Sequence, residues 1–167
     1  MRRFKIDNVN HKLYFDMLTY IGEQCKDFEV VISRGRHYEE LSEIEKELND
    51  FYLGYKYVKR WAGNRGGGIM RVYSCTPESA NVFKSYNDFF DFGNLDLCFY
   101  KDGREFLFTI PHEHHIEGIY DYWEPFFNRR MNYWGDYELE IRPMNDFKYD
   151  DSDKDRSNLK PVEQGDI

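Results

Sequence analysis

Tyr14, Met17, Leu18, Ile21 and Cys25 recur at helical spacing, which puts one apolar stripe on a helix of about four turns. Gly22 lies in the last turns of that stripe, where glycine costs roughly 1 kcal/mol against alanine. Phe28 to Ile32 is a β-branched run bounded by Asp27 and Ser33, long enough for a strand and too short for a helix. Leu41, Ile44, Leu48, Phe51, Tyr55 and Val58 then step by three and four. With Glu40, Glu43, Glu45, Lys46 and Glu47 on the wet side, they predict a second amphipathic helix. Asn49-Asp50 and Gly54 are the points where it could break, because Leu53, Tyr55 and Tyr57 also alternate as in a strand.

Ala62 through Gly68 contains three consecutive glycines and reads as a loop, and Ile69 to Cys75 reads as a strand. Thr76-Pro77-Glu78 is a helix start, with Thr as the cap and Pro at the first helical position, and Ala80 and Phe83 face inward. Leu95 to Ile110 predicts a hairpin about a two-residue turn at Asp102-Gly103. Pairing outward from that turn sets Phe99 opposite Phe106, Leu97 opposite Phe108 and Leu95 opposite Ile110, all on the inner face. Lys101 and Arg104 face each other beside the turn. Glu117 to Phe127 predicts one helix that Pro125 either starts or breaks. Tyr137, Leu139 and Ile141 alternate with Glu138, Glu140 and Arg142 in a last strand that Pro143 stops.

These elements predict an α+β domain over residues 1–144: an antiparallel sheet, including the 95–110 hairpin, with two or three amphipathic helices packed on one face. Residues 145–167 carry seven acidic and four basic side chains without apolar periodicity, the composition of an acidic, flexible tail.

Charge and cysteine usage narrow the function. With 23 basic against 31 acidic residues, the net charge of −8 argues against direct binding of nucleic acid. No apolar run reaches the 18 or so residues of a membrane span, and no signal-like segment follows the basic start. Cys25, Cys75 and Cys98 are isolated, so they read as buried, reduced thiols of a cytoplasmic protein. No G-x-S-x-G elbow is present, so nucleophilic catalysis has little basis.

Three segments could carry chemistry. In Pro111-His112-Glu113-His114-His115, a continuing strand would project His112 and His114 to one face. Such a pair is half of a zinc or iron site, with Asp121, Glu124 or His37 as candidates for a third ligand. The competing interpretation is a polar loop at the end of the hairpin. Arg60 and Arg65 beside Gly66 form a weak candidate for phosphate, although neither nucleotide-binding glycine pattern is present. The third segment is aromatic. In a chain with 14 Phe, 14 Tyr and 3 Trp, the group Tyr120, Tyr122, Trp123, Glu124, Trp134 and Asp136 has the make-up of a protein-binding surface, or of core. The leading expectation is a small acidic, cofactor-free, cytoplasmic inhibitor or regulator, of the immunity or phage anti-defence type. It would mask the surface of a protein partner, such as a basic nucleic-acid-acting protein. The alternative is a metal-dependent hydrolase or related enzyme using His112 and His114.

Overall fold

The computed structural model describes residues 1–33, 41–58, 68–92, 95–129, 133–144, 156–157 and 159–160. The elements run β1 (Arg2–Asp7), α1 (His11–Gln24), β2 (Asp27–Ser33), α2 (Glu43–Glu47), β3 (Tyr52–Val58), β4 (Gly68–Ser74), α3 (Pro77–Phe83), β5 (Asp96–Lys101), β6 (Arg104–Ile110), β7 (His115–Ile119), α4 (Tyr120–Arg129) and β8 (Glu138–Pro143). The strands form one antiparallel sheet in the order β3-β4-β2-β5-β6-β7-β1-β8. The α+β class read from the sequence is the class observed.

Strand alternation divides the sheet into two faces. Phe4, Ile6, Phe28, Val30, Leu97 and Phe99 point toward the helices. There they share the main core with Leu13, Tyr14, Met17, Leu18 and Ile21 of α1, Ile44 of α2, Phe83 of α3, and Trp123, Phe126 and Phe127 of α4. The opposite face carries a smaller buried cluster of Val31, Val58, Met70, Val72, Cys98, Tyr100, Phe108 and Ile110.

α1 ends where its stripe ends, and α3 starts as its cap predicts, with the Thr76 hydroxyl accepting from the Ser79 amide and Ser79 returning the bond. Gly22 has a positive role that propensity alone conceals. A Cβ at this position would lie 3.0 Å from both the Ala80 Cβ and the Pro77 Cα, so the glycine lets α1 and α3 approach. Overpacking typically costs 1–3 kcal/mol and alanine returns roughly 1 kcal/mol of helix propensity. Gly22→Ala should therefore leave the thermal midpoint unchanged or lower; a clear rise would show that the helices part without cost.

Three expectations are corrected. The helix drawn through Leu41–Val58 breaks at Asn49-Asp50, one of the two points named for it, and its last seven residues, Tyr52–Val58, are a strand. Only Glu43–Glu47 is α-helical, a 3₁₀ turn follows at Asn49–Phe51, and β3 then pairs with β4. Gly54 sits at φ 142°, outside helical backbone, and the ladder with β4 supplies hydrogen bonds that an isolated helix would have to make locally. The helix drawn from Glu117 begins only at Tyr120. His115–Ile119 is a strand with neighbours on both sides, and α4 runs through Pro125. The hairpin turn has Asp102 and Gly103 at φ 52° and 71°, as drawn, and Lys101 pairs with Arg104. A bulge next to Phe99 and Tyr100 then shifts the register, so Phe99 pairs with Leu107 and Cys98 with Phe108. Phe108 and Ile110 consequently belong to the second face.

Arg156 and Leu159, inside the segment read as a solvated tail, are half-buried against that second face. For these residues the expectation of solvation does not hold, because charge and apolar partners on β2 and β5 receive them.

Candidate functional site

β1 reads Arg3-Phe4-Lys5-Ile6-Asp7, so its charged side chains lie on the face opposite the helices. β7 lies antiparallel on one side and sets Glu117 beside Lys5 and His115 beside Asp7. On the other side, β8 sets Arg142, Glu140 and Glu138 beside Arg3, Lys5 and Asp7. Three strands distant in sequence thus assemble a charged field on the second face, next to the apolar cluster.

A pocket of about 410 Å³ is lined by Arg3, Lys5, Glu113, His115, Glu117, Arg142 and Pro143. His115 is almost fully enclosed and stands between carboxylates. Its Nε2 is 3.3 Å from Glu117 Oε2, and its Nδ1 is 3.3 Å from Glu113 Oε2 and 3.9 Å from Asp7 Oδ1. Arg3 holds Glu117 in an ion pair. A neutral imidazole has one N–H and can donate to only one of its two flanking glutamates at a time. The arrangement can therefore hold or exchange one proton.

Burial, followed by the nearby positive charge of Lys5, pulls the His115 pKa below its ordinary value; Glu113 and Asp7 pull the other way, and His112 adds to the lowering. The unfolded chain thus takes up the proton first as pH falls. The stability associated with the neutral ring is complete above an unfolded pKa of about 6.5 and is lost as pH drops through the lower folded value. His115→Asn should flatten the stability curve in that window. An unchanged slope between wild type and variant would contradict this reading.

Beyond Asp7, at the edge of the sheet, lies an open groove of about 590 Å³ lined by Asp7, Asn8, Gly135, Asp136, Tyr137, Glu138 and Leu139. Three carboxylates border it, and Tyr137 and Leu139 are half-buried against the core beneath.

No family model, curated protein or solved structure matches this chain. Its function must be read from its own geometry.

The residues singled out by sequence are scattered. Tyr120, Trp123 and Trp134 are core, with Trp123 fully buried, so no partner can touch the Trp123 ring. Their carboxylate neighbours give the group the composition of a surface, and of the two readings it is core that these three residues take. The structure instead satisfies their polar atoms internally: Trp123 Nε1 donates to the Phe106 carbonyl and Trp134 Nε1 to Asp16. Tyr122 is partly buried, Glu124 binds Arg2, and Asp136 is exposed at the groove. His112 and His114 do not share a strand face. A 3₁₀ turn intervenes at Pro111–Glu113, His112 is exposed, and His114 adopts φ 53° and sits edge-on to Phe90. Proline at position 111 ends the ladder, which removes the H-x-H geometry. Asp121 bonds Arg2 alongside Glu124, so neither faces the histidines. Among the described residues no group of three His, Cys, Asp or Glu side chains could hold a metal. His37, Arg60, Arg65 and Gly66 lie outside the described residues. The three cysteines are buried, and burial raises the Cys25 thiol, which opposes thiolate chemistry. Among the described residues no helix is long and apolar enough to cross a membrane.

His115, Arg3, Lys5, Asp7 and Glu138 were missed as site residues. For Arg3, Lys5 and Asp7 the signal is their strict alternation with Phe4 and Ile6, which marks a strand with one charged face.

Proposed function

We propose that this protein is a small acidic binding module that acts in the cytoplasm by masking a basic surface of a protein partner. An immunity-type or anti-defence inhibitor of a nucleic-acid-acting protein works in this way. The observation that carries the reading is the groove at Asp7, Asp136 and Glu138. An arginine or lysine entering it meets carboxylates that give charge-assisted hydrogen bonds and the Tyr137 ring against which its stem can lie. The net charge of −8 adds long-range attraction for a basic partner and speeds encounter at low salt.

Fluorescence anisotropy with a labelled oligo-arginine peptide tests the site. Reversing charge with Asp136→Lys and Glu138→Lys should weaken binding about tenfold or more, a loss of roughly 1.4 kcal/mol. The same number of reversals at Glu23 and Asp50, exposed on other parts of the surface, should have a much smaller effect. Equal losses from the two pairs would mean that the peptide responds to net charge alone, and the groove would have no part in it.

A further inference from the structure

Toward the other edge of the sheet, the second face is covered in part by Arg156, Leu159 and Lys160 of the same chain. Glu29, in the middle of β2, is completely buried on a face otherwise lined by Val31, Met70, Val72 and Cys98. A buried carboxylate costs several kcal/mol unless it is paired, and an apolar residue would cover such a face at lower cost. Arg156 supplies charge there. Its Nη1 donates to Glu29 Oε1 at 3.1 Å, its Nη2 and Nε donate to Asp27 Oδ1 at 2.7 and 3.2 Å, and its guanidinium lies 4.9 Å from the centre of the Tyr100 ring.

Three more contacts lie within four residues of it. Leu159 packs on the apolar cluster. The backbone of Lys160 exchanges two hydrogen bonds with Tyr55 of the edge strand β3, at 2.9 and 3.2 Å. Its ammonium lies near the Tyr55 and Tyr57 rings. Gly54 makes room for this chain: at its φ of 142° a Cβ would stand 2.9 Å from the Lys160 carbonyl oxygen and 3.0 Å from the Leu159 Cβ. An anchored cation, an apolar side chain packed on the sheet and a backbone pairing on a strand edge are together the means by which a sheet recognises an extended peptide.

We propose that the Asp27–Glu29–Tyr100 niche and the β3 edge form a receptor for an arginine-x-x-leucine segment of a partner protein, and that the chain's own Arg156, Leu159 and Lys160 occupy it in cis until displaced. The site is separate from the acidic groove, which lies at the β8 edge of the same sheet, so either can fail without the other. A partner segment competes with a tethered ligand whose effective concentration is on the order of millimolar, which makes the receptor selective for strong or multivalent partners.

The test uses the full-length chain and a labelled peptide of residues 154–162. Leu159→Ser with Lys160→Pro removes the cis leucine and the bridging N–H while leaving Asp27, Glu29 and Tyr100 in place. This variant should bind the peptide about tenfold or more tightly than wild type does. A peptide with alanine in place of Arg156 should not bind measurably. In wild type, millimolar peptide should accelerate hydrogen exchange of the Lys160 amide, an arm that needs no variant to fold. Equal affinity of variant and wild type, equal binding of the alanine peptide, or unchanged Lys160 exchange would each overturn the proposal. A concentration-dependent dimer of wild type would also overturn it, by making a second copy of the chain the occupant.

Discussion

Trp123→Ala should lower the free energy of unfolding by about 3–5 kcal/mol, the usual loss when a buried aromatic site is emptied. Trp123 is fully buried and lies against Phe4, Tyr20, Phe106, Phe126 and Phe127, with ring centres 4.7 to 6.0 Å away. Removing the indole leaves a cavity where α4 meets β1 and β6. It also takes from the Phe106 carbonyl the N–H that bonds it at 2.8 Å. A urea titration should show the shift as a lower midpoint with an unchanged slope. A loss below about 1 kcal/mol would mean that the ring is wet, and would return Trp123 to the list of surface residues a partner could grip.

Arg71→Met should be comparably damaging, at about 3–5 kcal/mol, because it strands a charge. Arg71 and Glu45 are both completely buried, with Arg71 Nη1 at 2.9 and 3.1 Å from the two Glu45 oxygens. The Tyr73 hydroxyl donates to the same carboxylate, and Ser42 donates to it from the start of α2. Without the guanidinium, Glu45 must either keep an unbalanced charge or take up a proton. Replacing both partners, Glu45→Leu with Arg71→Met, should recover much of the loss, since an apolar pair avoids the desolvation that the ion pair must overcome. Thermal or chemical denaturation of the two single variants and the double variant measures the coupling directly. Two single losses that simply add in the double variant would contradict it.

The legible parts of the fold were those whose signal is local. α1 carries five apolar residues at helical spacing, α3 carries its own cap, and the hairpin carries a turn that needs positive φ at both central residues. β3 was illegible because Leu48, Phe51, Tyr55 and Val58 fit a helix, while Leu53, Tyr55 and Tyr57 also alternate as in a strand. Only β4, arriving some residues later, decides between them. β7 was lost for the same reason: its five residues become a strand because β6 and β1 flank them. The bulge beside Phe99 has no signature in the residues around it, yet it moves Phe108 and Ile110 across the sheet.

The candidate sites were less legible still. Tryptophan beside carboxylate has the same composition whether the ring is exposed or its N–H finds an internal acceptor, and here the acceptors are the Phe106 carbonyl and Asp16. His115 gains its character from Asp7, Glu113 and Glu117, and Asp7 is brought to it only by the pairing of β1 with β7. Arg156 and Leu159 lie in a stretch with no apolar period. What docks Arg156 is the Asp27 and Glu29 pair, and what docks Leu159 is the apolar cluster of the second face, both far away in the chain.

Amide NMR spectra of the wild-type protein, recorded while an oligo-arginine peptide is added, test the acidic groove most directly. The expected result is a set of shifts centred on Asp7, Asn8 and residues 135–139 that shrinks as the Debye length falls from about 10 Å at 0.1 M salt to about 3 Å at 1 M. Shifts centred on the outer side of α1, or a response that ignores salt, would contradict it.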